Sequence, residues 1–360
     1  NNDRIRTDEN ASAVMEYTGE ATRVEISKDT DVRIREDKGQ KLFDLDNGRV
    51  DLSVDKQPRG AGLRVTTPHA HVDVVGTIFS VDVSKKYDTK TKPGGKGKPS
   101  DSEISDLKSE IPRTRVETYE GKVQVTRKAD SRTVMLAAGH YLVVTHSVDK
   151  KLAAAEISGW DGIRRGPDGE ILRRYRWTFE NGIPDDFILT YQTDCKNNQL
   201  VARQGLCVIL PVERRTVPVV VTGNIRQYSP LEGCRSYGAC FKKILTRDKP
   251  HYISTPVSVY DSGNLSIPKR FFLHKVIVLG KHVFCLTDSR MNAFMEYEHA
   301  KKRIGIFYQN IRVKSIELEE KAISEIPQKY RSSDGISRVK KRMRLQRGAS
   351  DTILQPYNNK

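Results

Sequence analysis

Short alternations of apolar and polar residues run along most of this chain. Between Ala21 and Val148 they read RVEISKDTDVRI, FDLDNGRVDLSV, LRVTTPHAHVDVVGTIFSVDV, TRVETYEGKVQVTR and RTVMLAAGHYLVV, punctuated by Gly, Asn and Asp. A period of two puts alternate side chains on one face of an extended chain, so each segment predicts a strand or hairpin. Asn47-Gly48 and Glu120-Gly121 supply the predicted hairpin turns, where positive φ is required. No segment here carries the three-and-four apolar spacing of a helix, so the first half is expected to be all-β.

The alternation stops between Lys85 and Pro112, where KKYDTKTKPGGKGKPSDSEISDLKSEIP offers little to bury and predicts a flexible insertion over 85–112. Its GGKGKPS is not a phosphate-binding loop, because Pro99 stands where Ser or Thr must follow the lysine and no helix follows. LAAAEISGW, residues 152–160, predicts a short helical connector over 151–159. Beyond it RRYRWTFENG, DDFILTYQT, QLVARQGLCVILPVERRTVPVVVTG, FFLHKVIVLGKHVFCLTD, RIGIFYQN and IRVKSIELEE restore the strand pattern. Many short antiparallel strands predict a β-sandwich or jelly roll over 160–326. Residues 1–20 are expected to form an N-terminal segment and 327–360 a basic disordered tail. The fold class is therefore all-β, in two domains.

Charge sharpens that division. Of 62 Lys plus Arg and 46 Asp plus Glu, residues 1–157 hold 27 and 26, and residues 158–360 hold 35 and 20. The last thirty residues hold eight basic and two acidic, centred on Arg338, Lys340, Lys341, Arg342, Arg344 and Arg347. Such a cluster can bind polyanions through counterion release, yet it lacks the aromatics that stack bases, which disfavours nucleic acid as a partner. No apolar run reaches the roughly 18 residues a membrane helix needs. The chain opens on Asn1 without a signal-peptide pattern, and the natural protein is expected to extend upstream. All five cysteines lie at or after residue 195. Cys234 with Cys240, and Cys195 with Cys207, are possible disulfides in an oxidising compartment; equally, all five suit small buried strand residues.

The motif VTTPHAHVDVVGTIFSV, with Thr67-Pro68, Gly76-Thr77 and Phe79, is followed by TYEGKVQV and LAAGHYL. This ordered set over 21–150 resembles the FecR-type domain of bacterial envelope signalling proteins. The resemblance implies a twisted, solenoid-like β module on the periplasmic side or cell surface, which in its best-known relatives relays an outer signal through one membrane helix to a sigma-factor regulator. The insertion at 85–112 departs from the family pattern, which a surface loop tolerates at small entropic cost. The second half, through FFLHKVIVLGKHVFCLTD, Arg303-Ile304-Gly305-Ile306 and Ile311 to Leu318, is similar to laminin-G or concanavalin-like jelly rolls often fused to FecR domains. Thr287-Asp288-Ser289 replaces the usual Asp-Gly.

Candidate chemistry is sparse. His69, His71 and Asp73 would share one face of an extended strand, where two imidazoles and a carboxylate could hold zinc or copper. The alternation accounts for them equally as the wet face opposite Ala70, Val72 and Val74. GNIRQYSPLEGCRSYGACF joins Asn224, Arg226, Tyr228, Arg235 and Tyr237 in a Gly-rich connection that suits sugar hydroxyls and pyranose faces. Trp177 and Phe179 alternate on the opening strand and are expected in the core. No strand carries the paired carboxylates of a jelly-roll glycosidase, and GxSxG and HExxH are absent. The expectation is a non-enzymatic envelope protein, periplasmic, surface-bound or secreted, without cofactor, that binds a glycan or another envelope protein. The alternatives are the outer part of a transmembrane signal transducer anchored upstream, and a polysaccharide-acting enzyme.

Overall fold

A computed structural model describes residues 2–9, 11–57, 62–74, 76–87, 110–149, 151–184, 187–189, 194–202, 206–213, 217–227, 236–242, 259–260, 271–280, 282–287, 290–296, 303–309 and 311–339. The chain divides into two units, Asn1–Ile157 and Ser158–Lys360. Both are built of strands, in agreement with the all-β expectation.

The first unit opens with β1 (Asn2–Arg6), β2 (Ala13–Glu16), β3 (Arg23–Ile26), β4 (Asp31–Asp37), β5 (Gln40–Ser53) and β6 (Leu63–Thr66). It continues with β7 (Ala70–Val74), β8 (Ile78–Tyr87), β9 (Glu110–Glu120), β10 (Lys122–Arg127), β11 (Thr133–Ala137), β12 (His140–Val144) and β13 (Ala155–Glu156). Strand β5 belongs to two ladders. Its first half pairs antiparallel with β4 and parallel with β6; its second half pairs with β3 and β8. One ladder then runs β1-β4-β5-β6-β7-β10-β11 and the other β2-β3-β5-β8-β9-β12-β13.

Asn47-Gly48 is therefore not a hairpin turn but the point where β5 crosses from one ladder to the other. Gly48 has φ +88°, and a Cβ there would run into Thr30 Oγ1 and the Asp29–Thr30 backbone. Glu120-Gly121 is likewise a corner. It joins β9, which pairs with β8 and β12, to β10, which pairs with β7 and β11. Gly121 has φ +75° and abuts Thr77, an arrangement only glycine meets without strain. The Gly76-Thr77 step and Ala138-Gly139 make equivalent crossings between β7 and β8 and between β11 and β12. Strands that turn such corners keep one face inward throughout. Val24, Phe43, Leu45, Val50, Leu52, Val65, Val72, Phe79, Val81, Val116, Val125 and Leu142 accordingly form one buried core.

Three expected boundaries change. Residues 1–20 are not a separate segment, since β1 pairs with β4 and β2 with β3 while Ile5, Ala13, Met15 and Tyr17 pack on the core. The connector at 151–159 is not helical; within it Ala155–Glu156 form β13, which adds to β12 through Tyr141↔Ala155 and His140↔Glu156. The ladder between β8 and β9 continues to Tyr87↔Glu110, so both strands reach into the span read as insertion, and 88–109 lie outside the described residues.

The second unit begins with β14 (Trp160–Arg165), β15 (Ile171–Thr178), β16 (Ile188–Leu189), β17 (Asp194–Lys196), β18 (Gln199–Ala202), β19 (Leu206–Glu213) and β20 (Val219–Gln227). After these come β21 (Ser236–Lys242), β22 (Val259–Tyr260), β23 (Phe272–Leu279), β24 (His282–Thr287), β25 (Arg290–Glu296), β26 (Arg303–Gln309) and β27 (Ile311–Glu320). They form two antiparallel sheets. The larger runs β14-β15-β27-β20-β23-β24-β25, with the β17–β18 hairpin also on β27; the smaller runs β16-β19-β26-β21-β22.

The last strand closes on the first long one. Arg173 on β15 and Glu320 on β27 are each 1% exposed and paired at 2.6 Å, and Glu320 Oε2 also accepts the Arg173 backbone N–H at 2.9 Å. Trp160, Tyr175, Trp177 and Phe187 follow as a chain of ring contacts at 5.4–5.8 Å, and Trp177 is buried as expected. The tail is not disordered from 327 onward. Helix α1 (Gln328–Arg331) and helical residues 333–339 pack Tyr330, Ile336 and Val339 on Ile277, Phe284 and Leu286. The Tyr330 ring stands 4.8 Å from that of Phe284.

Candidate functional site

In the first unit the His69, His71 and Asp73 set does not converge. Residues 67–69 form a bend before β7, so only His71 and Asp73 keep strand alternation. His69 turns inward to 3% exposure, with Nδ1 3.0 Å from Thr114 Oγ1 on β9. Thr114 Oγ1 donates to Thr67 Oγ1 at 2.8 Å, and Thr67 Oγ1 donates to the Ala70 carbonyl at 3.2 Å. Each hydroxyl has one proton, so His69 Nδ1 must be the donor at the head of this chain. His71 meets Thr66 at 3.3 Å, and Asp73 accepts Arg64 Nε at 2.6 Å. Among the described residues no group of three or more His, Cys, Asp or Glu could hold a metal. Burial first, then His146 and Lys128, lowers the His69 pKa; burial first, then Lys128 and Arg64, lowers that of His71.

A second polar cluster lies on the β5, β8 and β9 face turned away from the core. Glu117 accepts Arg115 Nε at 2.7 Å and the Tyr119 hydroxyl at 2.6 Å. Arg49 donates to both Asp51 oxygens at 2.9 and 3.1 Å and to Tyr119 at 2.9 Å, while Ser80 stands 3.1 Å from the same hydroxyl. Burial pulls the Arg49 pKa down, but Asp51, Tyr119 and Glu117 together hold it well above the ordinary value. These contacts are those of a self-satisfied ion network that ties three strands. Its serine meets a phenol and a carboxylate and no imidazole, which does not make a nucleophile and its base.

In the second unit the expected ligand loop is divided. Asn224 and Arg226 lie on β20 in the larger sheet, whereas Tyr237 lies on β21 in the smaller one, opposite Tyr308. Tyr228 and Arg235 fall outside the described residues, as does Cys234. Cys240 is on β21 opposite Gly305, and Cys207 on β19 opposite Phe307. Cys195 is free, its thiol donating to the Phe179 carbonyl at 3.3 Å, so the Cys195–Cys207 bridge is not formed. Burial raises the Cys195 pKa.

What the fold assembles around Arg226 was not visible in sequence. Along β20, Thr222, Asn224 and Arg226 share the face opposite buried Val221 and Ile225. Arg226 stands in register with Arg312 of β27, and its guanidinium lies 4.8 Å from the Phe271 ring centre. Reaching over β27, its Nη2 meets Gln199 Oε1 of β18 at 3.4 Å. Its Nε is buried and has no hydrogen-bond partner among the described residues. A register shift between Asn224 and Ile225 leaves Lys314 of β27 out of step with β20, and that lysine is exposed. A guanidinium held against an aromatic ring, flanked by a second arginine, a lysine and two amides, can bind and orient an anionic or hydroxyl-bearing ligand.

Comparison with known proteins bears first on class. Residues 3–92 match the model of the family described as FecR protein, so the chain carries a FecR domain within its first unit. The match begins earlier than the sequence motifs suggested, at the edge strand β1. Among solved structures, a Parabacteroides distasonis protein described as an anti-sigma factor is similar at 16% identity and TM-score 0.31, over 43% of this chain and 59% of that one. This chain therefore spans less than two thirds of that relative's length. The carbohydrate recognition domain of Emp47p is similar at 12% identity and TM-score 0.28, over 39% of this chain and 90% of that one. Neither likeness carries an argument at such scores. The comparison with curated proteins gave no match.

Proposed function

We propose that this chain is the outer part of a bacterial envelope signalling protein, working outside the cytoplasm without catalysis: its FecR unit relays a signal, and its second unit captures a glycan. The FecR match over 3–92 is the observation that carries the relay. The buried His69, Thr114, Glu117 and Tyr119 of that unit are engaged in strand-tying networks rather than in a nucleophile–base arrangement, which suits a role without catalysis. No helix among the described residues is long and apolar enough to cross a membrane. Glycan capture rests on the cluster that brings Asn224 and Arg226 to Phe271 and Gln199.

The test is an in-frame deletion of the codons for residues 2–157 in the native gene, with transcripts compared to those of the intact strain. The relay predicts that a defined set of genes changes several-fold and recovers on complementation. Unchanged transcripts, with the second unit still retained on polysaccharide, would leave a binding protein and reject the relay.

A further inference from the structure

We infer that the end of the larger sheet bearing Arg226, Arg312 and Lys314 binds the acidic groups, carboxylate or sulfate, of a polyanionic glycan. This inference rests on the glycan reading above and gives it a ligand class. Its basis is the placement of charge along two neighbouring strands. Arg226 and Arg312 stand opposite each other on β20 and β27. Two arginines in register on neighbouring strands concentrate positive charge at one place on the sheet, where an acid group can be met from both strands.

The Arg226 side chain is already organised for such a ligand. Phe271 supports one face of its guanidinium and Gln199 holds Nη2, while the buried Nε–H still lacks an acceptor among the described residues. Nε itself is closed to solvent, so an acid oxygen would meet the terminal nitrogens of that guanidinium. Lys314 stands exposed one residue past Val313, and Asn224 offers an amide on the Arg226 face. The carbon surface of Leu273, 44% exposed on β23 opposite Asn224, extends the apolar ground begun by Phe271.

The same strands argue for a glycan over a nucleic acid. On β27 the sign of charge reverses within a short distance: Arg312 and Lys314 give way to Glu317 and Glu319, the latter pair beside Thr222 and Val220 of β20. Three residues of strand cover roughly 10 Å. A nucleic acid strand, with a phosphate on every nucleotide, would drive negative charge onto those glutamates. A glycan with an acidic group on alternate sugars can place one at the arginines and leave neutral hydroxyls over the carboxylates. The predominance of basic residues in 158–360 favours capture of such a polymer.

The experiment titrates the full chain at low salt with a hyaluronan oligosaccharide, which carries a carboxylate on alternate sugars, a galactan sulfated on alternate sugars, the carboxyl-reduced form of the first, and single-stranded DNA. The expected result is saturable binding of one or both acidic glycans that weakens with salt, is absent for the reduced form, and falls at least tenfold in Arg226→Gln. Lys314→Glu, an exposed change that leaves the fold undisturbed, should weaken it as well. Whichever acidic polymer binds more tightly identifies carboxylate or sulfate as the recognised group. Equal binding of the reduced oligosaccharide, unaffected by either substitution, would overturn the acidic-group inference while leaving glycan capture standing. Tighter binding of DNA, or no binding of any probe, would overturn both.

Discussion

The two units close their β structures by different means. In the first, closure is done by backbone: glycines at 48, 76, 121 and 139 let strands pass from one ladder to the other, and the core they enclose is almost wholly aliphatic with Phe43 and Phe79. In the second, closure is done by side chains. The Arg173–Glu320 pair fastens β27 to β15, and His274 sits fully buried on β23 opposite Gly223 and Thr287. A corner glycine costs conformational entropy once and is indifferent to pH. A buried charge or imidazole makes a unit responsive to loss of its partner and to acid. The first unit buries ion pairs too, but Arg49, Asp51, Arg115 and Glu117 lie on the face turned away from its core, whereas in the second unit a buried ion pair joins the closing strands themselves and an imidazole is enclosed in the sheet.

Both tryptophans, Trp160 and Trp177, belong to the second unit, so tryptophan fluorescence reports its unfolding separately from far-UV ellipticity of the whole. Glu320→Ala should have the largest effect. It strands Arg173 without its carboxylate and should destabilise the second unit by about 4 kcal/mol, seen as a lower denaturant midpoint by fluorescence. An unchanged midpoint would mean the pair contributes no more than a surface bridge.

Acid should act on the same unit through His274. Burial depresses its pKa from 6.5 to about 3. The unfolded state therefore binds a proton that the folded state refuses, so this contribution is complete above pH 6.5 and is lost progressively as pH falls from there toward 3. A His274→Leu variant should flatten the fluorescence midpoint between pH 6.5 and 4; a slope identical to the parent would assign the acid response elsewhere.

In the first unit the sharpest break comes from Gly48→Val, which forces a branched side chain into the Asp29–Thr30 backbone at positive φ. A loss of about 3 kcal/mol is expected, visible as an ellipticity change at a denaturant concentration where the fluorescence transition has not moved. The smallest effect belongs to Thr114→Val, which removes the acceptor of His69 Nδ1–H and the donor to Thr67. It should cost about 1–2 kcal/mol. Recovery in Thr114→Ser would show that the hydroxyl, not the shape, is what matters.

These contrasts also explain what the sequence disclosed. The alternation was legible because one face of nearly every first-unit strand is buried, and the residues flagged as turns do turn the chain. What a turn residue cannot reveal is which ladder the next strand joins, so Asn47-Gly48 and Glu120-Gly121 read as hairpins when they are crossings. Strands β1 and β2 escaped notice because Arg4, Arg6 and Glu16 dominate their composition while only Ile5, Ala13 and Met15 face inward. LAAAE has helical propensity, and pairing with the edge of β12 overrides it. The C-terminal helices rest on few apolar contacts, Tyr330, Ile336 and Val339, too sparse to distinguish from a basic tail.

The site was legible only in part, for the same reason. Asn224 and Arg226 were within view because they are two residues apart on one strand. Gln199, Phe271, Arg312 and Lys314 come from three other strands or their ends, separated by as much as 115 residues, and only the strand order β18-β27-β20-β23 brings them together. His69 was misplaced by the opposite error, since three residues counted as one extended strand include a bend.

Hydrogen exchange of the full chain, with and without the hyaluronan oligosaccharide, tests the central claim of a ligand site assembled where β18, β20, β23 and β27 meet. The account predicts that ligand slows exchange at 199–202, 222–227, 271–275 and 311–315, with the first-unit ladders unaltered in their own exchange. Protection confined to other strands, or none at saturating ligand, would contradict it.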